Sequence, residues 1–276
     1  MTIFFGKYTI HSRKGQGMKV SIITLSYNHL EDATAPFIES LYQYTSEKDF
    51  ELIIIDNNST DGTVDFLKKL EAEKSNVRVI YNAENLGYSK GNNQGLKIAN
   101  PSIPYIALFN NDVLFTPNWL ENSLLEFEKD SKIGLASPRI NKNMKVMRKD
   151  EYLHKYKKYL CQFKESFTYD LMPRFCCVIF SRKLFEKVGY LDENFTPAFY
   201  EDDDYSLRSL YAGYRNGHIN TAFIYHNHCT TSGNIEARNK LLERNRKYFY
   251  SKHYIGEFIY EKLGHGKSWI KRLFGK

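Results

Sequence analysis

Residues 108–113 read LFNNDV. An apolar run, Tyr105 to Phe109, ends in two amides and a carboxylate: Asn110, Asn111 and Asp112. A carboxylate closing a buried strand is costly unless it binds something or accepts hydrogen bonds. With amides rather than bases beside it, Asp112 suits a hard divalent cation such as magnesium or manganese. Such an ion takes oxygen from the protein and keeps other positions for water and phosphate. A histidine can complete the set, and Tyr225-His226-Asn227-His228-Cys229 closes a later apolar run. Taken singly, these residues also serve as turn caps or hydrogen-bonded histidines.

Two further stretches carry chemistry. Glu201 to Asp204 read EDDD, the densest acidic run in the chain. A helix start needs only one or two acids for its dipole. Crowded like charges raise a carboxylate's pKa, which prepares one of them to take a proton as a general base. Residues 85–95, NLGYSKGNNQG, combine three glycines with four asparagine or glutamine amides. They match neither the dinucleotide fingerprint nor the P-loop. An amide-rich turn at a helix start can still cradle a diphosphate.

The elements that must position these groups follow from the pattern of apolar residues. MKVSIITLSYN, ELIIID, VRVIYN and IPYIALFNNDV read as strands, the first beginning at Met18. Residues 30–45, TVDFLKKLEAEK, YSKGNNQGLKIA and NWLENSLLEFEKD read as helices. Strand and helix alternate four times, the mark of stacked βαβ units and a parallel sheet. Ligands bind such sheets beyond the carboxyl ends of the strands. Four polar clusters stand there: Ser26-Tyr27-Asn28, Asp56-Asn57-Asn58, Asn82 with Asn85, and Asn110-Asn111-Asp112. In the second half, RFCCVIFSR and NGHINTAFIYHNH read as strands, and KLFEKV and the run after EDDD as helices. The basic, tyrosine-rich residues 139–170 read as a loop-rich insertion, and 234–262 as helical.

The chain has 276 residues, 42% of them hydrophobic and 26% charged, as for a soluble protein with a core. No apolar run approaches the roughly 18–20 residues that span a bilayer, and the first residues do not read as a secretory signal, which points to the cytoplasm. Four cysteines without a CxxC pair read as reduced thiols. The net charge of +7 sits at one end: residues 240–276 hold ten Lys/Arg against three Asp/Glu, and the remainder is neutral. Such a tail suits an anionic surface.

VSIITLSYN, IIIDNNSTDGT, NLGYSKGNNQG, ALFNNDV and GYLDENFTPAFYEDDDYSLRSLYAGY occur in that order. As a set they resemble the family 2 inverting glycosyltransferases of GT-A fold, and within them the bacterial rhamnosyltransferase-like group, over about residues 18–233. The fold implied is a Rossmann-like, mainly parallel α/β sheet flanked by helices, followed by a helical basic C-terminal tail. The implied organisation is an extension over 1–17, a nucleotide-binding half over 18–115, an acceptor half over 116–233 and a tail over 234–276.

The resemblance also implies roles. Thr24, Ser26 and Tyr27 match the wall that receives the base, and Asp56 the aspartate on a uracil or thymine ring, with Asn58 after it. Lys90 and Asn93 match the loop beside ribose and diphosphate. Asn110, Asn111 and Asp112 occupy the DxD position, where Asp112 matches the metal-binding aspartate. Its first carboxylate is here an amide, which weakens the expected grip on metal. Glu201 and Asp202 match the ED motif, with Asp202 as the base. Asp192 and Glu193 match a turn near the acceptor. His226 matches the late histidine of the metal site, and His228 is a second candidate. The implied reaction moves a sugar from a UDP- or dTDP-sugar to a hydroxyl of a glycan or lipid-linked glycan, with a manganese or magnesium ion.

The end of the chain, WIKRLFGK, puts Trp269, Ile270, Leu273 and Phe274 on one helical face among four cations. That pattern over 267–276 suits a membrane surface, and so a peripheral place at the inner face of the cell membrane. Two other readings stand beside the transferase. A nucleotidyltransferase would want a basic phosphate grip after the first strand, and TLSYNHLED has none. A nucleic-acid-binding protein would want a broad basic face, and the body is neutral, so no nucleic acid is expected as a partner.

Overall fold

Seven residues, VSIITLS, form the first strand, β1 (Val20–Ser26), and FELIIID forms β2 (Phe50–Asp56), every residue of it buried. Neighbouring residues serve opposite faces: Ile22, Leu52 and Ile54 join one core cluster, Ile23, Ile53 and Ile55 the other. A strand covered on both faces cannot alternate polar with apolar, which is why these segments read as unbroken apolar runs. The computed structural model describes residues 17–140, 149–227 and 235–253.

β1 pairs in parallel with β2 and with β4 (Tyr105–Asn110), and β2 with β3 (Val77–Tyr81). The intervening helices are α1 (Ala35–Tyr44), α2 (Thr63–Glu73) and α3 (Gly87–Ile98). The expected helix over 30–45 is divided: a π-helical turn at Leu30–Thr34 precedes α1. One core cluster takes Phe37 and Leu41 of α1 and Trp119 of α4 (Trp119–Lys129); the other takes Leu96 of α3. Helices therefore flank the sheet on both sides.

Beyond β4 the sheet stops being parallel. The elements there are β5 (Val113–Leu114), β6 (Ile133–Ile140), α5 (Lys149–Leu160), β7 (Phe167–Tyr169), β8 (Cys177–Ser181), α6 (Arg182–Val188), α7 (Glu201–Tyr211), β9 (Arg215–His226) and α8 (Ile235–Lys252). The strand order is β3-β2-β1-β4-β8-β6-β9-β5, with β7 also on β9. β8 runs antiparallel to β4 and β6, and β5 and β7 antiparallel to β9. Among the described residues, only β6 and β9 add a parallel pair there. The fold is the GT-A arrangement: a parallel first half and a mixed second half.

Two differences from the sequence reading lie in that second half. The stretch over 139–170 holds a 12-residue helix, α5. Its tyrosines at i and i+4 stack on β9: Tyr152 on Tyr225 and Tyr156 on Phe223, with ring centroids 5.1 and 5.8 Å apart. Lysines between them made the segment look like loop, while the rings supply a buried face. The second difference is α8, assigned to a tail. Its Phe249 and Tyr250 pack with Phe195, Leu207 and Leu210. Its Lys252, with the adjoining His253, meets the fully buried Asp204 of α7 at 2.6 and 2.9 Å, and Arg208 joins the same carboxylate at 2.9 Å. The N-terminal extension up to residue 16, His228 and the 267–276 segment lie outside the described residues.

Candidate active site

Strand ends build the site. β5 pairs with β9 so that Val113 faces His226 across the ladder. This sets Asp112 beside His226, with Oδ1 and Nε2 3.0 Å apart and both side chains nearly buried. The N–H of Asn227 donates to the Asp112 carbonyl at 2.8 Å. Burial alone would lower the His226 pKa; hydrogen bonds to Asp112 and Cys176 overturn that and raise it to about 10. A divalent cation taking the place of the proton between them would find one oxygen and one nitrogen ligand on neighbouring strands, a set completed by water and phosphate oxygen. Among the described residues, no three His, Cys, Asp or Glu side chains cluster as a larger metal site.

Asp112 lines the first of two cavities, of about 660 Å³, with Tyr27, Asn57, Asn85, Tyr88 and Asn110 among the other walls. Gly87 is needed where α3 begins. Its φ is +77°, and a Cβ there would lie 2.7 Å from the Pro197 carbonyl oxygen. The N–H of Tyr88 donates to that same oxygen at 2.7 Å. Loop 196–200 is thereby drawn over the start of α3.

That loop is held at every carbonyl. Arg244 of α8 donates to Thr196, Asn245 Nδ2 to both Ala198 and Phe199 at 2.9 Å, and the N–H of Asp204 to Tyr200 at 2.9 Å. Phe199 and Tyr200 have φ of 79° and 72°, a left-handed conformation that bulky residues adopt only when their surroundings impose it. The loop delivers the chain into α7, whose first residues are Glu201 and Asp202.

Glu201 and Asp202 line the second cavity, of about 610 Å³, with Asp170, Arg174, Cys176 and His218. Burial pushes the Glu201 carboxyl up to about 8, and the charge of Asp202 adds to the shift. Glu201 Oε2 is buried with no hydrogen-bond partner among the described residues. Burial also raises Asp202, against the opposing pull of the Asp203 N–H, which donates to Asp202 Oδ1 at 2.9 Å. The two carboxyls thus share one buried corner in which burial raises both, with Glu201 pushed up to about 8. Phe199 and Arg238 line both cavities.

The structure gathers some expected residues and separates others. Tyr27, Asn110, Asn111 and Asp112 line the first cavity; Glu201 and Asp202 line the second. Asp56 is buried at the end of β2. Its Oδ2 accepts from the Ser59 N–H at 3.0 Å, and its Oδ1 has no partner among the described residues. The Thr24 hydroxyl is likewise buried and unpartnered among them. Ser26 instead faces Thr34 at 3.0 Å, and Thr34 accepts from Asn111 Nδ2 at 3.0 Å. Asn58 is exposed in a left-handed turn, and Lys90 is exposed on α3.

Three expected site residues are engaged with other parts of the protein instead. Asn93 donates to the Leu191 carbonyl and to Glu193, each at 2.9 Å, and accepts from the Leu191 N–H at 3.0 Å. Asp192 accepts from Tyr248 at 2.9 Å and Lys252 at 2.6 Å. Asn93, Asp192 and Glu193 thus tie α3 and α8 to the 189–194 turn, and none lines either cavity. The sequence reading also passed over Arg238 and the clamp Asn245. Asn57, Asn85, Tyr88 and Phe199 lay inside stretches it quoted.

A family model described as Glycosyl transferase family 2 matches residues 21–189. The putative teichuronic acid biosynthesis glycosyltransferase TuaG of Bacillus subtilis (strain 168) is 33% identical over 108 residues, which is 38% of this chain and 40% of TuaG. The chain spans well under half the length of the curated relatives it matches. Two solved structures share the fold, each at a TM-score of 0.62 and over 86% of this chain. One is GalNAc-T7 with UDP, GalNAc and Mn2+, 13% identical over 56% of its length. The other is the mannosyltransferase PcManGT from Pyrobaculum calidifontis with GDP-Man and Mn2+, 16% identical over 64% of its length.

Proposed function

The chain belongs to glycosyl transferase family 2, and from that premise we propose that it moves a sugar from a UDP- or dTDP-sugar to a hydroxyl of a surface glycan, inverting the anomeric carbon. The observation that carries this reading is the pair of adjoining cavities, with Asp112 on one and Glu201-Asp202 on the other. The first takes the donor and the second the acceptor. The unpartnered Asp56 oxygen at the end of β2 is the group for the N–H of a uracil or thymine ring.

Asp112 and His226 would hold a divalent cation, which when bound offsets charge on the leaving diphosphate. Manganese in the two neighbouring solved structures supports this choice. Asp202 accepts the proton of the acceptor hydroxyl. That oxygen bonds to the anomeric carbon from the face opposite the departing diphosphate, so one bond forms as one breaks and configuration inverts. Glu201, its carboxyl pushed up to about 8, favours the protonated form at pH 7, which keeps a second negative charge away from Asp202.

The acceptor is read as a cell-envelope glycan, lipid-linked during its growth. TuaG and the poly(ribitol-phosphate) beta-glucosyltransferase of Bacillus spizizenii support that class by name. The rhamnosyltransferase-like subgroup is the finer assignment, resting on the quoted motifs. The 267–276 segment would seat the protein on the inner face of the membrane; among the described residues no helix is long and apolar enough to cross one.

A thermal-shift panel of sugar nucleotides with and without manganese tests the reading. A ligand that binds only the native state must raise the melting temperature. UDP- or dTDP-sugars should raise it in the presence of manganese, and Asp112→Ala should remove the metal-dependent part. No shift with any nucleotide would overturn the proposal.

A further inference from the structure

Arg238, on the first turns of α8, lines both cavities and is the one lysine or arginine among the described residues of the first. That cavity already contains the Asp112 carboxylate, and a nucleoside diphosphate would bring at least two more negative charges to it. Lys90, expected beside the diphosphate, stays exposed on α3 and is absent from the cavity wall. Among the described residues of that wall, Arg238 is therefore the one lysine or arginine that could meet a diphosphate alongside a cation at Asp112.

The side chain is exposed and placed to move. Its guanidinium lies 5.6 Å from the centroid of the Phe199 ring, and it makes no ion pair among the described residues. Its neighbours on α8 are already matched: Lys240 with Glu236, and Arg246 and Lys247 with Glu243. The ring beneath it cannot follow. Phe199 is fixed by its left-handed backbone and by Asn245 on its carbonyl. An exposed cation thus lies over an aromatic ring whose backbone is tied in place, at the border of the two cavities. A guanidinium presents paired donors in the fork geometry that phosphate oxygens accept.

We propose that Arg238 is the diphosphate clamp of this site, stacked on Phe199 until donor binds and then turned onto the diphosphate, closing the first cavity toward the second. This rests on the reading of the first cavity as a sugar-nucleotide site.

Calorimetric titration of the full chain with UDP, UMP and uridine tests it, in manganese and again in chelator, on wild type, Arg238→Gln and Arg238→Lys. Loss of a charge-assisted contact should weaken UDP by about tenfold in Arg238→Gln. UMP and uridine should bind unchanged, and Arg238→Lys should recover part of the loss because it keeps the charge without the fork. The ratio of wild type to variant should persist in chelator, which separates the clamp from damage to the metal site. The substituted side chain is exposed, so a folding defect does not confuse the result. If wild type binds UDP and Arg238→Gln binds it equally well, the clamp is wrong and the donor-site reading stands. If wild type binds no uridine nucleotide in either condition, the donor-site reading falls and the clamp with it.

Discussion

At the scale of single residues, the paired carboxylates divide the work by environment. Asp202→Asn should abolish transfer while leaving UDP-sugar binding intact, measured as turnover against calorimetric affinity. Glu201 offers a sharper test. With its carboxyl titrating at about 8, wild-type turnover should inflect near that pH, as a second negative charge appears beside the base. Glu201→Gln mimics the protonated acid, so it should keep neutral-pH turnover and lose the inflection. A profile unchanged by this substitution would place the inflection elsewhere. Asp112 and Asp202 were legible in the sequence because each interrupts or adjoins an apolar run with charge that has no local use. Ser26, Asn93 and Asp192 looked alike at that level, being polar and near strand or helix ends. What separates them is a partner far along the chain, such as Leu191 for Asn93, and no local pattern announces it. Arg238 was passed over for the same reason, while Phe199 lay in a quoted stretch with no polar group to mark it.

At the scale of elements, close approach decides. α3 lies against β1 and β2 so tightly that a Cβ on Gly95 would fall 2.5 Å from a methyl of Ile23 and 3.0 Å from Ile55. Gly95→Ala gains helix propensity and still should destabilise the fold by about 1–3 kcal/mol, because a branched strand residue cannot step aside. Chemical denaturation measures this, and a more stable variant would refute the packing argument. Loop 196–200 depends on Asn245 in a comparable way. Asn245→Ala leaves two carbonyls without their donor, at about 1–3 kcal/mol for each one that water does not reach. Turnover should fall further than stability, since the same loop aims Glu201 and Asp202. β1, β2 and β4 were legible because burial on both faces leaves nearly unbroken apolar runs, and the edge strand β3 because it is rich in β-branched residues. β6 and α5 were not: β6 carries Gly134, Pro138 and Arg139 within its span, and the buried face of α5 is made of tyrosines spaced among lysines.

At the scale of the whole molecule, α8 is joined to the body through charge. Lys252 meets both Asp192 and Asp204 at 2.6 Å. Burial alone would raise either carboxyl; Lys252 with Tyr248 and backbone N–H groups brings Asp192 down to about 2, and His253, Arg208 and Lys252 bring Asp204 below its ordinary 3.8. Groups held below their unfolded value contribute stability that is complete above that value and lost as pH falls through the folded one. Melting temperature should therefore hold above pH 4 or so and fall between there and about 2. In Lys252→Met the fall should begin at higher pH, and overall stability should drop by about 3 kcal/mol, as when one partner of a buried ion pair is removed. An identical acid limb in the variant would show that α8 is not secured this way. The border between the cavities has a consequence for inhibitor chemistry. A single molecule that occupies both halves must pass one aromatic ring and one guanidinium, so its linker is constrained there more than by either end. A flat, anionic linker would meet a matching plate and cation, whereas a bulky neutral one would have to displace a loop whose carbonyls are all already bound.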